Sequence, residues 1–179
     1  MDRDWLIKSL NAYRSDFEEE QEFVIRFLEL LGHLDCFHRT HLPGHITGSS
    51  WVVNREKTKS LLVHHAKLNK WVQPGGHADG EENILNVALR EAEEETGLRT
   101  LTPSLTLFDI DIHRIPERKD FAEHFHYDIR FLIEGVESEA ITVSHESHDV
   151  RWIAFSEMEN FTRERSVLRM KEKTILVHG

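Results

Sequence analysis

Residues 75–98, GGHADGEENILNVALREAEEETGL, read as a loop running into a helix. Gly75 and Gly76 open a turn that a side chain would obstruct. Asp79 and Gly80 continue it, and the helix runs from about Asn83 to Thr96. Gly97 follows where a helix favours glycine at its C-terminal end. Glu91, Glu94 and Glu95 are spaced i, i+3, i+4, so they share one helix face within about 100°. Leu85, Ala88, Leu89 and Ala92 form an apolar stripe beside them that can anchor the helix on a core. Glu93 points to solvent. Arg90 lies one turn before Glu94 and can orient it or offset its charge. Three carboxylates held together repel one another, and a hard divalent cation between them removes the repulsion. Magnesium favours such oxygen ligands and often shares its site with substrate phosphates.

An isolated E-x-x-E-E is ordinarily a solvated acidic face. Here the residues around it extend the pattern. Gly76, Glu82, Arg90, Glu91, Glu94, Glu95, Gly97 and Leu98 follow G-x5-E-x7-R-E-U-x-E-E-x-G-U, with U a bulky aliphatic residue. The stretch resembles the Nudix box, departing from it only in Ala92 at the first U position. The resemblance implies the Nudix fold, an α/β architecture with a mixed β-sheet sandwiched between helices. It implies a hydrolase dependent on Mg2+ or Mn2+ that cleaves the pyrophosphate bond of a nucleoside diphosphate linked to a moiety X, by water attack at phosphorus. It makes Glu91, Glu94 and Glu95 metal ligands, with the Gly76 carbonyl a further one. Glu82, Arg90 and Gly97 become supports of the box. The general base in this family is a box glutamate, such as Glu94 or Glu95, or a carboxylate from a later loop. Glu146, six residues before Trp152, is the candidate outside the box.

Working outward, residues 1–36 read as a helical extension: a short helix over 2–14 and a second from about Asp16 to Leu31, carrying Phe17, Phe23, Val24, Phe27, Leu28 and Leu31. The extension packs either on the domain or on a second subunit in a homodimer. From about Phe37 the pattern becomes that of short strands, and residues 37–179 form the Nudix domain. Strands are expected over Thr47–Asn54 and Ser60–His65. Trp71–Val72–Gln73–Pro74 leads into the glycine pair. Thr106–His113 and His124–Ile133 alternate, with Ile110, Ile112, Phe125, Tyr127, Ile129 and Phe131 on apolar faces. Asp109, Asp111, His113, His124, His126, Asp128 and Arg130 fall on the other faces, which suggests a sheet covered on one side and lining a polar cleft on the other. Ile115–Glu123 is a polar loop, 144–155 a loop and then a strand, Ser156–Phe161 a short helix capped by Ser156, and 166–177 a terminal helix. Gln73 and His77, next to the glycine loop, are the leading substrate contacts, with His126 and Asp128 behind them. The strand histidines and aspartates line the pocket, hold an extra metal, or are structural.

The formal net charge is −10, which argues against a general nucleic-acid binder, since that function needs a basic face. A small nucleoside diphosphate derivative remains compatible, because bound cations invert the local charge. Cys36 is the one cysteine, so an internal disulfide and a cysteine-rich zinc site are excluded. The N-terminus lacks a signal-peptide core and no apolar run approaches ~18 residues, so the expected location is cytoplasmic, with no membrane span. Two rivals are weighed. A Nudix-fold prenyl diphosphate isomerase would need an acid–base pair that the early Cys36 does not offer. A non-catalytic nucleotide sensor commonly loses box glutamates, and this chain retains all of them.

Overall fold

Alternation of side chains along the strands divides the molecule into two cores with a sheet between them. Ile46, Val52, Leu61 and Val63 face one cluster; Trp51, Val53 and Leu62 face the other. The computed structural model describes residues 1–117 and 122–178. Among them the strands are β1 (Gly44–Val53), β2 (Lys59–His65), β3 (Lys70–Val72), β4 (Gly75–His77), β5 (Leu101–Pro103), β6 (Asp109–Ile115), β7 (His124–Gly135) and β8 (Ser147–Ala154). The helices are α1 (Arg3–Ala12), α2 (Glu18–Leu30), α3 (Ile84–Thr96) and α4 (Arg165–His178). The sheet is mixed. β1 and β7 run parallel from Gly44 beside Phe125 to Val53 beside Glu134, and the other pairings are antiparallel. Helices α1, α2 and α3 supply one core with Leu6, Phe27, Val87 and Ala88; α4 supplies the other with Val167 and Met170. The expected α/β/α layering is observed. No helix of the described residues is long and apolar enough to cross a membrane.

The N-terminal helices share the core of the sheet. Trp5 stacks on Phe131 with ring centroids 6.3 Å apart, and Phe27 meets Tyr127 edge-on at 5.3 Å. Asp2 caps α1 by accepting from the Trp5 N–H at 2.9 Å. Along α2, the fully buried Glu20 accepts from the backbone N–H of Ile110 at 3.1 Å and from Lys173 at 2.6 Å. This contact covers part of the β6 edge, which would otherwise leave backbone donors unpaired.

Several local expectations are corrected. Gly75 and Gly76 lie in a short strand, β4, paired with Thr47–Ser49, and not in a turn. The 156–161 segment makes one turn of 3-10 helix over Met158–Asn160, and Ser156 does not cap it. The β6 strand begins at Asp109, so Thr106–Phe108 fall outside it, and the short β3 and β5 strands carry no alternation long enough to read. The Ile115–Glu123 loop lies partly outside the described residues.

The polar faces of β6 and β7 are only in part a cleft. Asp109, Asp111, Asp128 and Arg130 are buried beneath α4 in an ion-pair network with Arg169 and Lys173. Alternation places these residues on one face, but α4, far along the chain, brings the cations that allow that face to be covered.

Candidate active site

Helix α3 is held against the sheet by Ile84, Leu85, Val87, Ala88 and Ala92, all buried. The Asn83 side chain accepts from the Asn86 N–H at its start. Gly97 ends it at φ +78°, a conformation that strains any residue with a Cβ, and a Cβ there would also meet Thr142 at 2.8 Å. The end of the helix that carries the glutamates is thereby fixed against β4.

Glu91 and Glu95 converge on that strand. The carboxylate of Glu95 accepts from the Gly75 N–H at 3.1 Å. Gly76 lies so close to Glu91 that a Cβ would fall 2.5 Å from the carboxyl carbon. Glu94 is exposed on the same helix face. Burial pushes the Glu95 carboxyl up to about 8, against the lowering effect of the Gly75 N–H and with help from Glu91, Glu146 and Glu94. Burial also raises Glu91, opposed by Arg90.

Arg90 interacts electrostatically with Glu94, as the spacing suggested, but its hydrogen bonds go elsewhere. Arg90 donates to Glu91 at 2.7 Å and to the His77 carbonyl at 3.0 Å, tying α3 to β4. Glu82 pairs with Arg3 of α1 at 2.9 Å. Arg3 also donates to the carbonyls of Leu31, His33 and Leu34 at 2.7–3.1 Å. The helical extension thus grips the loop that precedes α3. Glu93 pairs with Arg99 at 3.0 Å.

Glu146 belongs to the same neighbourhood, acting electrostatically on Glu91, Glu95 and His77. Its backbone carbonyl accepts from Ala66 N–H at 2.9 Å, which fastens its loop to the end of β2. Gln73 points its Nε2 at Asp128, 3.3 Å away, while its Oε1 is buried with no partner. Asp128 is itself buried and engaged by Thr47, Ser49 and Arg130 at 2.7–2.9 Å. That geometry makes Asp128 an anchor for Gln73 more than a free contact.

His77 and His126 meet at a ring separation of 4.9 Å. With them stands His45, which the sequence did not single out. Its signal is parity: His45, Thr47, Ser49 and Trp51 alternate onto one face of β1. Register pairs His77 with Thr47 and His126 with His45. One ligand atom from each of His45, His77 and His126 lies within 4.8 Å of the others. Among the described residues, these three form a group that could hold a metal ion. Burial lowers His45 and His77 to about 4, aided by His77 and Arg39 respectively, and His126 to about 2, aided by His113, His77 and His45. All three are neutral imidazoles near pH 7.

The NUDIX domain pattern matches residues 44–172, and the chain belongs to the Nudix family. A probable DHNTP pyrophosphohydrolase of Lactococcus lactis subsp. cremoris is 30% identical over 124 residues, covering 68% of this chain and 74% of the relative. Among solved structures, a NUDIX-family hydrolase from Clostridium perfringens superposes with a TM-score of 0.56 at 25% identity, covering 74% of this chain and 97% of that one. A C. elegans Ap4A hydrolase gives a TM-score of 0.59 at 17% identity, covering 74% and 96%, a likeness of fold. The chain is an enzyme of the Nudix pyrophosphohydrolase type.

Proposed function

We propose that the chain is a divalent-metal-dependent hydrolase that cleaves the pyrophosphate bond of a nucleoside diphosphate linked to a moiety X, or of a related organic triphosphate. The observation that carries this reading is the placement of Glu91 and Glu95 on the Gly75–Gly76 strand, with Glu94 beside them. An all-oxygen donor set suits Mg2+ or Mn2+. Glu91, Glu94, Glu95 and the Gly76 carbonyl would hold the metal, which when bound neutralises phosphate charge and lowers the pKa of a bound water.

The remaining roles follow from the side chains themselves. Arg90 holds Glu91 and β4 in register. Glu146, an electrostatic neighbour of Glu91 and Glu95, is the candidate to take a proton from the attacking water, with Glu94 and Glu95 as the box alternatives. Gln73 offers the unpartnered Oε1 to a donor on the substrate, and His77 is the second contact. His126 and Asp128 are further back, Asp128 as the group that aims Gln73.

The test is product release from a panel containing ADP-ribose, dinucleoside polyphosphates, nucleoside triphosphates and DHNTP, with Mg2+ or Mn2+, beside Glu94→Gln. Cleavage of one class, reduced by at least about 100-fold in Glu94→Gln, supports the reading. Nucleotide binding without cleavage across the panel refutes it in favour of a sensor.

A further inference from the structure

We propose that His45, His77 and His126 form a second metal site, for a borderline transition ion of the zinc class. It is separate from the oxygen donors of the box. The three histidines come from three strands, β1, β4 and β7, which the sheet holds rigidly. A strand's side chains alternate, so Gly76 faces Glu91 while its neighbour His77 projects from the opposite face of β4. The histidines therefore gather on the side of the sheet away from α3. Their potential ligand atoms lie within 4.8 Å of one another. Around a tetrahedral zinc ion with bonds of about 2.1 Å, nitrogen ligands sit roughly 3.4 Å apart, so small side-chain rotations close the site.

A second observation points to a ligand. His45 is 1% exposed, and its Nε2 is buried with no hydrogen-bond partner. Its Nδ1 lies 3.4 Å from the His41 carbonyl, the orientation that leaves Nε2 with the free lone pair. A buried unpaired nitrogen is destabilising, and coordination would satisfy it.

The surroundings fit the same assignment. His124 donates its Nδ1–H to the Ala122 carbonyl at 2.8 Å, which leaves its Nε2 as an acceptor 3.3 Å from Nε2 of His126. His126 donating there keeps its Nδ1 as a lone pair. Such outer contacts fix the tautomer and orientation of ligating imidazoles. Imidazole donors favour Zn2+, Co2+ or Ni2+ over Mg2+, so the two sites select different ions. With three protein donors, a fourth position is open to water or to a phosphate oxygen.

The test is independent of hydrolysis. The metal-stripped full chain is titrated with Co2+ in excess Mg2+, following the visible absorption of cobalt bound to imidazole. The expected result is saturation at about one ion per chain, unchanged in Glu94→Gln and in His33→Asn. Affinity falls by more than about 10-fold in both His77→Asn and His126→Asn, while their circular dichroism and melting show a folded chain. No absorption in the wild type overturns the proposal. So does absorption that survives both histidine variants, or that disappears in Glu94→Gln or His33→Asn. Failure of the hydrolase assay alone leaves these readouts unchanged.

Discussion

Replacing Arg130 with Met would test whether the covered polar face stabilises the fold. Arg130 is 1% exposed and meets Asp128 at 2.7 Å, Asp109 at 3.1 Å and Asp111 at 3.3 Å. The network holds the carboxylates of Glu20, Asp109, Asp111 and Asp128 against the cations of Arg130, Arg169 and Lys173. Methionine keeps much of the volume and removes one of the cations. Breaking a buried ion pair from one side costs about 3–5 kcal/mol. For a domain of this size that is a melting-temperature drop of roughly 6–20 °C.

The pH dependence gives the sign. Burial would raise Asp109 and Asp111, yet the guanidinium groups of Arg130 and Arg169 hold both below the usual carboxylate value. Their stabilisation is present above the unfolded pKa, near 3.9, and is lost as pH falls through the folded value. Without Arg130 the folded pKa values rise, so protonation at low pH relieves the variant. Urea unfolding of both proteins at pH 7 and about pH 4 should show a smaller stability difference at the lower pH. A difference below about 1 kcal/mol at pH 7, or one equal at both pH values, would refute the reasoning.

Three further outcomes are expected. Gly76→Ala places a Cβ 2.5 Å from the Glu91 carboxyl; activity should fall by more than about 10-fold with little change in melting, since the end of a side chain yields before the backbone does. Arg3→Ala removes the donor that joins α1 to Glu82 and three carbonyls, and unfolding should show a loss of about 1–3 kcal/mol. In metal-free protein, Glu95 titrates near 8 against an ordinary 4.5. Its contribution to stability is complete below 4.5 and is lost as pH rises through about 8. Binding of Mg2+ near pH 7 should therefore release protons, measured calorimetrically in buffers of different ionisation enthalpy.

The box was legible because its information is local. Glu91, Glu94 and Glu95 share a face by helical spacing alone, and Gly97 announces the helix end by what a left-handed φ requires. The apolar alternation of β7 likewise named its core face, as Ile129 and Phe131 bear out. The short β4 was not legible, since three residues with two glycines carry no periodicity. Its strand character comes from hydrogen bonds to β1, more than twenty residues earlier in the chain. The hydrogen-bond partners of Arg90 were not legible for a similar reason, although Glu94 does act on it electrostatically. Helical spacing offered Glu94, while the carbonyl of His77 and the carboxylate of Glu91 gave it a shorter bridge to β4.

By itself the sequence determined the Nudix box, through a fixed local spacing, and the N-terminal helices, through periodicity; the layered α/β class came with the resemblance that the box carries. Only the tertiary structure decided what the polar strand faces become. Asp109, Asp111, Asp128 and Arg130 lie in the same alternating pattern as His124 and His126, and nothing in that pattern separates them. The difference is made by α4, whose Arg169 and Lys173 neutralise the first group and allow it to be buried. Farther along the same face, His45 and His77 meet His126 through strand pairings distant in sequence. Alternation assigns a residue to a face, but only long-range packing supplies the partners that set its charge and its chemistry.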